Sequence, residues 1–79
     1  MGSNSNQSVF SRDLTDGSRH RRFDVEKTQS EGWRVRDESD TAGIRQTTYD
    51  DWHRVELAIR GFTVEAAELT RQGWRDHER

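Results

Sequence analysis

The sequence contains no cysteine, no proline and no apolar run long enough to cross a bilayer. The first absence removes disulfides, thiolate nucleophiles and thiolate zinc sites together, and so takes from a small domain two of its usual staples. Oligomerisation is the one that remains. Apolar residues are scarce as well, at 28% against 35% charged, which lies near the composition of disordered chains. Three Trp, three Phe and one Tyr move the balance back toward a folded domain, because each large aromatic supplies much buried area. A soluble, cytoplasmic protein without membrane contact is expected.

An excess of one charge sign is also lacking. The net charge of −2 gives no global attraction to nucleic acid or to an anionic surface. The charges are unevenly placed: residues 1–36 hold seven basic against five acidic side chains, and residues 37–79 hold six against ten. The first half is mildly basic and the second acidic. Twelve of the thirteen basic residues are Arg, the bias of a GC-rich bacterial or phage genome, although Arg also makes bidentate and stacking contacts that Lys cannot.

Seventy-nine residues allow one domain. Residues 1–18 are expected to be a disordered or irregular tail, with Asp16-Gly17-Ser18 turn-like at its end. Residues 19–74 are expected to form a βββα domain, and residues 75–79 a charged tail. In the first strand Phe23 and Val25 alternate with Arg22, Asp24 and Glu26. Gln29-Ser30-Glu31-Gly32 breaks it, with Gly32 available for a positive-φ position in the loop. Trp33 and Val35 alternate with Arg34 and Arg36 in a second strand. Asp40-Thr41-Ala42-Gly43 turns into a weaker third strand from Ile44 to Tyr49, with Ile44 inward.

Trp52, Val55, Ile59, Phe62, Ala66 and Leu69 recur at spacings of three and four, the signature of one helical face. A helix from about Asp51 to Gln72 is therefore expected, with Asp50 as N-cap, Gly73 in a left-handed terminating conformation and Trp74 folding back. Gly61 costs about 1 kcal/mol relative to Ala inside a helix. Either the helix stops there and a second begins at Thr63, or it continues, as the unbroken phase of the stripe favours. The architecture predicted is α+β: a three-stranded antiparallel meander with one long C-terminal helix packed on one face.

Leu57 and Val64 lie nearly opposite the main stripe, with Gly61 between them. A Gly flanked by two aliphatics permits close helix crossing, and Leu57, Gly61 and Val64 are the contact expected for a twofold homodimer. His53 and Glu56 stand one turn apart, but no third residue is spaced to complete a metal site or an acid–base site. No catalytic, cofactor or metal motif is recognisable, so a non-enzymatic role is expected. If Phe23, Trp33 and Ile44 point inward, Arg22, Arg34, Arg36 and Arg45 point outward. With Tyr49 they form a candidate face for single-stranded nucleic acid, read by phosphate contact and stacking. Asp24, Glu26 and Glu38 share that face and suit cross-strand ion pairing instead.

A small antiparallel sheet followed by one long helix that serves as a dimer interface resembles the layout of single-stranded-DNA-binding transcriptional coactivator domains. The resemblance is architectural, covers residues 19–72, carries no motif matched residue by residue and lacks one of the usual four strands. The function expected is a small macromolecular interaction module, homodimeric, with an unidentified protein partner. The alternative is a single-stranded nucleic-acid-binding module using the Arg-rich strand face. A third reading, a nucleic-acid mimic, would rest on Glu56, Glu65 and Glu68.

Overall fold

In the computed structural model, residues 7–29 and 32–77 are described, and residues 1–6 of the tail expected over residues 1–18, like Ser30, Glu31 and residues 78–79, lie outside them. Five strands and one helix follow in the order β1 (Gln7–Asp16), β2 (Arg19–Lys27), β3 (Trp33–Ser39), β4 (Gly43–Tyr49), α1 (Trp52–Arg71) and β5 (Arg75–Asp76). All neighbours pair antiparallel, in the spatial order β4-β3-β2-β1-β5. The fold is α+β as expected, but the sheet has five strands where a three-stranded meander was expected.

The added strands come from segments assigned to the tails. Strand β1 hides its alternation for two reasons. Its register slips between Ser8 and Phe10, so Val9 and Phe10 break the period of two, and Arg12 occupies the phase of Phe10 and Leu14. Arg12 is held there by an ion pair with Asp76 at 3.0 Å. The β1–β2 hairpin closes on a two-residue turn, Gly17-Ser18. Gly17 at φ 63 supplies the positive angle that the first position of a type II′ turn needs. Strand β5 is two residues long, too short for any periodic signal.

Helix α1 runs unbroken through Gly61. Its N-cap is Asp51 instead of the expected Asp50: Asp51 has extended backbone, and its carboxylate accepts from the His53 N–H at 3.0 Å. At the other end Gly73 takes φ 108 and donates to Thr70, while the Trp74 N–H donates to the Leu69 carbonyl. These two bonds make a complete Schellman motif. Trp74 thereby turns back into the core, and β5 follows it against the end of β1.

The helix covers one face of the sheet through two adjoining clusters. Leu14, Phe23, Ala66 and Trp74 form the first; Val25, Val35 and Val55 form the second. Phe10 and Phe62 pack against both, and the Phe62 ring stacks on Phe23 at 4.6 Å between centroids. Trp52, expected in the core, sits at its rim, 42% exposed, tilted against Trp33 at 5.3 Å. Ile44, expected inward, is 55% exposed. The register explains it: Ile44 stands opposite Glu38, on the face away from the helix, and Tyr49 stands opposite Trp33 on the helix side.

Candidate interaction surfaces

Three surfaces carry chemistry: the outer side of α1, the sheet face away from the helix, and the end where α1 meets β2 and β3. The last is a structural anchor. Arg21 reaches from β2 on the helix side and holds Asp37 through two bonds of 3.1 and 3.2 Å, with Glu65 of α1 at 2.8 Å. The hydrogen bonding with Asp37 raises the Arg21 pKa further above its ordinary value, against the opposing effect of burial, so the side chain is a fixed cation. One guanidinium thus ties strand, strand and helix together.

On the outer side of α1, Leu57 is 52% and Val64 70% exposed. Gly61 lies between them, and a side-chain carbon built there would meet nothing within 4 Å. The glycine is not required by packing inside the monomer. At its N-terminal end this stripe meets an open depression formed by Tyr49, Asp51, His53, Arg54, Leu57 and Ala58. His53 and Glu56 are both exposed, and among the described residues no group of three or more His, Cys, Asp or Glu is placed to hold a metal ion.

The sheet face away from the helix gathers Arg22, Arg34 and Arg36, three of the five residues expected on one nucleic-acid face. Arg45 and Tyr49 are not with them. The register sets Arg45 opposite Asp37 and Tyr49 opposite Trp33, both on the helix side, because β4 is in the phase opposite to the one expected. Two of the three remaining guanidinium groups are engaged by carboxylates, Arg22 with Asp24 and Arg34 with Glu26, each at 2.9 Å. Arg36 approaches Glu38 only to 3.9 Å, and its Nε is buried without a partner. It borders a shallow depression of about 280 Å³ with Ser8, Ser11, Arg22 and Arg34.

His20 and Asp13 belong to the same face, joined at 2.7 Å. The carboxylates Asp13, Asp24, Glu26 and Glu38 equal in number the Arg residues of this face, Arg22, Arg34, Arg36 and, opposite Thr15, Arg75, so no strong positive field develops there. Alternation within β2 and β3 already sets Asp24, Glu26 and Glu38 on this face; the pairing register adds Asp13 and Arg75 and removes Arg45. No family model matches the chain, and no curated protein or solved structure is significantly similar to it.

Proposed function

We propose that this chain is a non-enzymatic interaction module that binds another protein, a second copy of itself included, through the outer side of α1. The observation that carries the reading is the Leu57–Gly61–Val64 stripe: two exposed aliphatics around a helical glycine that nothing in the monomer requires. A mid-helix Gly costs about 1 kcal/mol relative to Ala, and close approach of a second helix is a physical reason to keep it.

The test is light scattering on the parent and on Leu57→Glu. Crossing two helices at Gly61 brings the two substituted side chains together across the axis, where like charge and lost apolar burial both oppose association. Leu57→Glu should weaken self-association at least tenfold while leaving the circular dichroism unchanged. An unaltered association constant removes the helix from the contact.

The nucleic-acid alternative has one favourable observation, the unpartnered Nε of Arg36 beside the depression. The balance of carboxylates and guanidinium groups on that face, with Arg22 and Arg34 already paired, weighs more. Fluorescence anisotropy with mixed-sequence single strands at low salt should show no saturable binding. Micromolar binding that weakens with salt and is lost in Arg36→Glu would reverse the ranking.

A further inference from the structure

We propose that the free edge of β4 pairs antiparallel with β4 of a second copy, joining two sheets into one. This goes beyond the α1 contact and does not rest on it. Strand β4 is the outermost of its sheet, seven residues long, and exposed at every residue but Tyr49. One helix, about 10 Å across, cannot cover five strands spaced about 4.8 Å apart, and β4 is the long strand left bare.

An exposed edge is normally blunted by Pro, charged side chains, a bulge or a covering segment. The opposite edge has such protection: β1 is bulged between Ser8 and Phe10, β5 pairs with its last turn-proximal residues, and the His77 N–H caps the Asp13 carbonyl at 2.7 Å. Strand β4, Gly-Ile-Arg-Gln-Thr-Thr-Tyr, has no Pro, no register shift against β3 and a single charge, Arg45, which stands opposite Asp37 of its own sheet. Its composition is instead that of a pairing strand, with three β-branched residues and a Tyr.

Symmetry selects the register. A twofold axis normal to the sheet keeps both helices on one side and sets helix-facing residues opposite helix-facing ones. Centring the axis on Arg45 would oppose two guanidinium groups directly, which is unfavourable. Centring it on Thr47 leaves Gly43 and Ile44 outside the ladder. Centring it on Gln46 uses the whole strand: Arg45 faces the partner's Thr47, Ile44 faces the partner's Thr48, and Gly43 faces the partner's Tyr49. Half-exposed Ile44 gains a β-branched neighbour, and Arg45 has Asp37 opposite it within its own sheet.

The experiment is sedimentation velocity at up to hundreds of micromolar, with Leu57→Glu as the background so that the α1 contact does not contribute. In that background the proposal expects a dimer. Adding Thr47→Lys sets Lys against Arg45 twice per dimer and should weaken it at least tenfold; adding Thr47→Glu sets opposite charges together and should tighten it. Thr47 is exposed, so the fold should tolerate both changes, and either variant alone tests the sign. A monomer throughout, or the two charges acting alike, overturns the pairing and leaves the edge to a strand of some other polypeptide. If Leu57→Glu alone abolishes association, the edge proposal fails and the α1 contact stands.

Discussion

Arg21 and Gly32 show how much a single side chain, or its absence, sets in so small a domain. Arg21 is 21% exposed and satisfies two carboxylates from different elements with different nitrogens. Lys, with a single charged nitrogen on a flexible stem, cannot reproduce that fork. Arg21→Lys should therefore destabilise the chain, and Arg21→Ala by more, on the order of 1 kcal/mol, as the partly exposed carboxylates of Asp37 and Glu65 lose their shared donor. Urea unfolding monitored by Trp fluorescence measures it. Gly32 has φ 144, and a side-chain carbon there would stand 2.9 Å from the Tyr49 carbonyl oxygen. Gly32→Ala should cost about 1–3 kcal/mol through backbone strain alone. The mirror case is Gly61→Ala, where helix propensity should stabilise the monomer by about 0.5–1 kcal/mol. If α1 is the contact, the same methyl should weaken association, so thermal stability at high dilution and the dimerisation constant should move in opposite senses.

At the scale of the element, legibility followed burial. Helix α1 could be read from sequence because one face of it packs and the other is wet, which writes a period of 3.6 into the chain. Strands β2 and β3 were legible for the same reason at a period of two: Phe23, Val25 and Val35 are buried, and Asp24, Glu26, Arg34 and Arg36 are not. Strand β4 wrote no phase because it is exposed on both faces, and Ile44 was placed inward for want of one. That error carried Arg45 to the wrong side of the sheet. Strand β1 was obscured by its bulge and by Arg12, whose partner Asp76 lies 64 residues on, a relation that no local window contains. The helix stripe yields its own prediction. Phe62 stacks on Phe23 and lies 6.2 Å from Phe10, between the two clusters, so Phe62→Ala should cost about 3–5 kcal/mol. A circular dichroism melt superimposing on that of the parent would contradict the packing described for α1.

At the scale of the whole molecule, the buried apolar set is small, seven residues among those described, with extents of 37 × 31 × 20 Å. A domain of this size leaves a large fraction of its surface exposed, and without cysteine no disulfide compensates for the small core. No described helix is long and apolar enough to cross a membrane. The proposed contacts would cover the exposed apolar residues Leu57 and Val64 on α1 and Ile44 on β4. Sedimentation equilibrium of the unmodified chain over a dilution series, from submicromolar to hundreds of micromolar, tests those contacts most directly. Self-association predicts an average mass that climbs from the 9.3 kDa of one chain to at least twice that value. A mass that stays at 9.3 kDa across the whole range would contradict it.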